Sequence, residues 1–136
     1  MRLALILVCI VLSACKNLDA VEMDYPDLHA ARADSLFRRG WLPDILPDST
    51  HSINCRNNLD RNTSEGSFGI STEDASEFSS KLKECMKSAI DIEEFSELGK
   101  KGFRPQCYRL GGNCWVFYLN WDSGHCIYRL IDEADL

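Results

Sequence analysis

Five cysteines beyond residue 50 carry the most versatile side chains of this chain, because thiols form disulfides, bind metals or act as nucleophiles. They are Cys55, Cys85, Cys107, Cys114 and Cys126. In an oxidising compartment, disulfides are the default for an exported protein. Cys107 and Cys114 bracket a short loop that contains Gly111-Gly112, and we predict a bond between them. The pairing of the other three stays open, because five cysteines admit many two-bridge patterns.

A zinc site is the alternative for some of these thiols. Cys107, Cys114, His125 and Cys126 are of the ligand types that zinc prefers. Their spacing lacks the short Cys-x2–4-Cys pairs of structural zinc sites. In a strand, moreover, the adjacent His125 and Cys126 point to opposite faces. The sequence therefore predicts no zinc site.

A calcium loop is also suggested superficially, by Asp60, Asn62 and Ser64. The motif requires glycine at its sixth position and an acidic residue at its twelfth. This chain has Glu65 and Ser71 there. The pattern is typical of a polar turn rich in Asx residues, and we predict no metal here.

Catalytic signatures are missing from the sequence. The three histidines, His29, His51 and His125, lie in no recognisable motif, and there is neither Gly-x-Ser-x-Gly nor a glycine-rich phosphate loop. We predict no catalytic residues, no cofactor and no enzymatic activity.

The first 15 residues, MRLALILVCIVLSAC, have the form of an export signal. Arg2 is followed by an uninterrupted apolar run over residues 3 to 12, too short to span a bilayer. Leu12-Ser13-Ala14-Cys15 resembles the lipobox of bacterial lipoproteins, which implies cleavage before Cys15 and acylation of that residue. Lys16, rather than Asp, favours the outer membrane by the same resemblance. An ordinary secretory peptide with a soluble, extracytoplasmic product is the alternative.

The net charge of the chain limits the kinds of partner it can bind, and its length indicates the number of domains. The chain has 15 basic and 21 acidic side chains, a net charge of −6, and loss of Arg2 with the signal makes it −7. This balance disfavours binding to nucleic acid and to anionic lipid. Membrane attachment would then rest on the acyl chains of Cys15. We expect a signal peptide at 1–14, a lipidated tether at 15–24 and one globular domain at 25–136.

A β-hairpin is predicted for residues 114 to 131, the densest apolar stretch. Trp115, Phe117, Leu119 and Trp121 alternate along the first strand and share one face. A two-residue turn at Ser123-Gly124 would set Leu119 opposite Tyr128 and Phe117 opposite Leu130.

Helical spacing predicts three helices before this hairpin. They cover a segment from Pro26 to Gly40, residues 73 to 89, and a short piece with Ile92, Phe95 and Leu98. Short strands are predicted at 67–71 and 103–108, residues 48 to 65 form polar turns, and Trp41 inserts in the core. The expected fold is α+β, with an antiparallel C-terminal hairpin or meander packed on one or two helices.

The middle of the chain resembles a group of small bacterial proteins of no assigned function. The residues that carry the resemblance are Gly40-Trp41-Leu42-Pro43, Leu46-Pro47 and Leu59-Asp60-Arg61-Asn62, followed by Phe68. It covers roughly residues 37 to 70 and implies no activity.

Two functions fit these features. The first is a small anchored binding module that engages another envelope protein as an inhibitor, an immunity factor or an accessory factor. The second is a structural or housekeeping envelope lipoprotein without a dedicated target. Both place the chain in the cell envelope, at the outer membrane and facing the periplasm.

Overall fold

The computed structural model describes residues 20–136, which form one six-stranded antiparallel sheet with the order β1-β2-β3-β6-β5-β4. Two three-stranded meanders, each consecutive in the chain, join where β3 pairs with β6. The strands are β1 Ala20–Asp27, β2 His51–Asn58, β3 Thr63–Gly69, β4 Phe103–Leu110, β5 Asn113–Asn120 and β6 His125–Asp132.

In the described part of the chain, three short α-helices accompany the sheet: α1 Leu28–Ala33, α2 Ala75–Ser80 and α3 Ile92–Lys100. Short 3-10 turns lie at Thr72–Asp74, Lys87–Ala89 and Glu133–Asp135. The Asp27 carboxylate caps α1 by accepting a hydrogen bond from the Ala30 amide at 2.9 Å. The Asp91 carboxylate caps α3 in the same way. The α+β class is confirmed in outline, but strands dominate. No helix of the described region is long and apolar enough to cross a membrane.

The predicted C-terminal hairpin is present with the predicted faces and a different register. Leu119 lies opposite Cys126 and Phe117 opposite Tyr128, two residues away from the expected pairing. The shift comes from a longer turn, in which Trp121 leaves the strand and is 45% exposed. A shift of two preserves the side on which every residue points, so Trp115, Phe117 and Leu119 are still buried.

Three other predictions of secondary structure, all for the N-terminal half of the chain, were wrong. Residues 20–24, expected to be tether, belong to β1 and pair with β2. Residues 51–58, expected to be turns, form β2. The segment from Pro26 to Gly40 is helical only over α1 and then continues in turns. Two of its predicted apolar residues, Ala31 and Leu36, are nevertheless fully buried.

The helix predicted over 73–89 ends at Ser80. Beyond it the chain turns along the edge of β4, where the Lys83 and Cys107 backbones exchange two hydrogen bonds of 2.8 and 2.7 Å. These tertiary contacts replace the helical ones. The predicted helix around Phe95 and the strand beginning at Phe103 are confirmed.

The sheet is covered unequally on its two sides. One side, called the first face here, carries the main core, in which Phe68, Phe78 and Phe117 pack edge to face. Trp41 also lies in this core, 7% exposed, as predicted. The opposite side, the second face, is covered within residues 20–136 over β4, β5 and part of β6, by α3, the turn at Lys87–Ala89 and Leu136.

Candidate functional site

The disulfide of the described region joins Cys85 to Cys107, with Cα atoms 5.0 Å apart. The predicted bond between Cys107 and Cys114 is therefore wrong. Cys107 lies opposite Val116 and Cys114 opposite Arg109, so the two cysteines are diagonal neighbours. Such neighbours are about 7–8 Å apart, beyond the reach of a disulfide.

The remaining three cysteines of this region, Cys55, Cys114 and Cys126, are free and buried. Burial raises the pKa of each thiol, which disfavours the nucleophilic thiolate. Cys15, the predicted lipidation site, lies outside the described residues.

The residues considered for metals are not brought together. Cys107 is engaged in the disulfide, and Ser64 of the calcium-like pattern lies in the core. Within residues 20–136, no group of three or more His, Cys, Asp and Glu side chains could hold a metal ion.

The uncovered half of the second face is the candidate site, called the open face here. It consists of Glu22, Asp24, Asn54, Arg56, Glu65, Ser67 and Arg129, contributed by β1, β2, β3 and β6. Alternation along each strand places them on one side, because their neighbours fill the first-face core. A shallow cavity of about 350 Å³ lies over this surface.

A row of alternating charges crosses the open face. Glu22 lies opposite Arg56, Arg56 opposite Glu65, and Glu65 opposite Arg129. Arg129 forms an ion pair with Glu94 of α3 at 2.6 Å. Arg56 and Glu65 form no ion pair within 4.0 Å with any described residue. They are exposed and free to pair with groups on another molecule.

Helix α3 forms one rim of the open face. Its half-buried residue Leu98 packs on the second-face core. Phe95 and Ile92 remain 41% and 81% exposed. The helix thus contributes Glu94 to the open face and exposes two apolar side chains.

A buried polar cluster braces the strands behind this surface. The Ser64 hydroxyl donates to Asn57 Oδ1 at 2.6 Å and lies 2.9 Å from the Tyr128 hydroxyl. Burial raises the pKa of Tyr128. The cluster ties β2, β3 and β6 together, so the opposite surface of these strands, the open face, is held in one arrangement.

Sequence reasoning missed the open face because it assigned residues 48 to 65 to turns. The available signal was the period of two in β2, where Ile53, Cys55 and Asn57 are buried and the residues between them are exposed. Asn57 is polar, and this obscured the alternation.

Taken together, the fold and site define a strand-rich protein with one polar, uncovered sheet surface. Residues 19–69 match the YbbD head domain family. The match spans β1, α1, β2 and β3 and supports the coarser expectation of a small bacterial envelope-related protein. The lipobox and the resemblance carried by Gly40-Trp41-Leu42-Pro43 stay predictions. No curated protein and no solved structure matches the chain.

Proposed function

We propose that this protein is a lipid-anchored envelope lipoprotein that acts as a small binding module, an inhibitor, immunity or accessory factor for another envelope protein. The lipobox sequence Leu12-Ser13-Ala14-Cys15 supports the anchor. The observation that carries the binding function is the open face, where a braced sheet holds Arg56 and Glu65 exposed and without an ion pair to any described residue.

The open face has the composition of a recognition surface rather than of a reaction site. Interfaces combine apolar anchors with polar groups that set register and specificity. Ile92 and Phe95 on α3 can supply the anchors, and Arg56 and Glu65 the polar groups. Because the charges alternate, the complementary partner surface must alternate as well, which favours a folded protein over a polyanion.

The net negative charge of the whole chain favours a basic partner. With a net charge of −6, long-range attraction speeds encounter with a basic protein and slows encounter with an acidic one. Salt screens this long-range attraction, so association with a basic partner should slow as ionic strength rises.

The anchor is tested by Cys15→Ser. The wild-type protein should incorporate labelled palmitate and stay with the membrane fraction, and the variant should do neither. A variant that still carries lipid would refute the lipobox assignment.

The open face is tested by charge reversal. Arg56→Glu and Glu65→Arg should each abolish recovery of the partner from detergent-solubilised envelope. The double variant changes the row to two acidic side chains followed by two basic ones, so it should not restore binding. Arg38→Glu, at an exposed arginine beyond α1, is the matched control and should bind normally. Equal recovery by all variants would remove the open face from the proposal. Recovery of no specific protein would favour the housekeeping alternative.

A further inference from the structure

One end of the sheet lies at residue 20, where the chain connects to Cys15, the proposed lipid anchor. Ala20 begins β1 at that end, and only residues 16–19 separate it from Cys15. Fully extended, the connection from Cys15 to Ala20 spans at most about 18 Å. An acylated Cys15 lies at the bilayer surface, so Ala20 must lie close to it.

The β2–β3 turn lies beside Ala20. Ala20 pairs with Asn58, and the chain continues from Asn58 past the end of β1. Leu59, the first residue of this turn, is 62% exposed, and Val21 on the neighbouring strand is 44% exposed. Two apolar side chains therefore face solvent at the end that the anchor holds near lipid.

A cleft of about 390 Å³ opens at the same end. Besides Arg56 and Glu65 of the open face, its lining includes Arg61, Asp132 and Asp135 at the end itself, charges of both signs. Arg61 forms no ion pair within residues 20–136. A zwitterionic headgroup offers a phosphate to the Arg61 guanidinium and an ammonium to the carboxylates of Asp132 and Asp135, whereas a purely anionic surface would meet the carboxylates unfavourably.

We propose that this end of the sheet lies against the membrane, with Leu59 and Val21 in the lipid interface and the cleft facing zwitterionic phospholipid headgroups. The inference rests on the lipid anchor of the proposed function. The opposite end, with the turn that contains Trp121, then lies about 26 Å farther from the bilayer, the length of an eight-residue strand. The open face extends between the two ends and stays accessible from the side.

Tryptophan quenching tests this orientation in the full-length, lipidated protein. Leu59→Trp places a reporter at the proposed membrane end, and Asp122→Trp places one in the turn at the opposite end. Both proteins are reconstituted in phosphatidylcholine vesicles with and without acyl-brominated lipid. We expect the added emission of Leu59→Trp to be lost to bromine quenching, and that of Asp122→Trp to be unchanged.

The outcomes separate the orientation from the anchor. Palmitate incorporation with no quenching of Leu59→Trp, or with equal quenching of both reporters, overturns the orientation and leaves the anchor intact. If the wild-type protein incorporates no palmitate, the anchor fails, and the orientation fails with it.

Discussion

The bond between Cys85 and Cys107 ties the irregular segment after α2 to the edge strand β4, and its removal should weaken the fold measurably. Cys85→Ser breaks the bond at its half-buried partner, so little packing is lost. The cysteines are separated by 22 residues. Closing a loop of that length stabilises the folded state by about 3.4 kcal/mol on the chain-entropy model.

Urea denaturation with and without reductant is the assay. For an m-value of about 2 kcal/mol/M, the loss corresponds to a midpoint lower by about 1.7 M. Reductant should lower the wild-type midpoint by a similar amount, because it breaks the same bond. It should leave the midpoint of Cys85→Ser unchanged.

Cys114→Ser is the matched control, because it removes the cysteine that we predicted from the sequence to be bonded to Cys107. This variant loses some stability as a buried substitution, but its midpoint should still fall in reductant. The reasoning is refuted if Cys114→Ser becomes insensitive to reductant while Cys85→Ser stays sensitive, since Cys107 would then be bonded to Cys114.

Three further perturbations test the core. Trp41→Ala should lower the free energy of unfolding by about 3–5 kcal/mol, as for other large buried aromatics, and a loss below about 1 kcal/mol in urea titration would contradict burial of this side chain. Gly66→Ala should destabilise the sheet, because a Cβ there would lie 1.9 Å from the Asn54 carbonyl oxygen; an unchanged thermal midpoint would show that the strands separate easily at this point. Burial, reinforced by a hydrogen bond to Asp34, raises the pKa of Tyr25 from 10.0 to about 12. The folded state thus keeps a proton that the unfolded state loses, and the free energy of unfolding should fall from pH 10 to 12. Tyr25→Phe should lack this part of the fall in unfolding free energy. If the unfolding free energies of wild type and Tyr25→Phe depend on pH in the same way, the raised pKa of Tyr25 is contradicted.

Local pattern was sufficient wherever one periodicity dominated. The alternation from Trp115 to Leu119 identified a strand and its buried side, since a period of two can serve only that geometry. The spacing of Ile92, Phe95 and Leu98 identified α3 for the corresponding reason. Trp41, placed between a helix stop and two prolines, was correctly assigned to the core.

Pattern failed where contacts distant in sequence outweighed local preference. The apolar spacing through Leu82 and Cys85 favours a helix, yet backbone pairing with Cys107 and the disulfide hold that segment extended. The hairpin register depended on a turn two residues longer than the shortest one compatible with the same faces.

The sequence by itself determined the acidic balance, which is a matter of composition, and the aromatic strands, whose pattern lies in neighbouring residues. The export signal and the lipobox stay predictions. Only the tertiary structure decided the cysteine pairing and the open face. The period of two in β2 is obscured because its buried residue Asn57 is polar, and pairing with β1 and β3 fixes the strand. Arg56 meets Glu65 only across that pairing. The row of charges follows from the strand register, and that register is set by contacts between residues far apart in the chain.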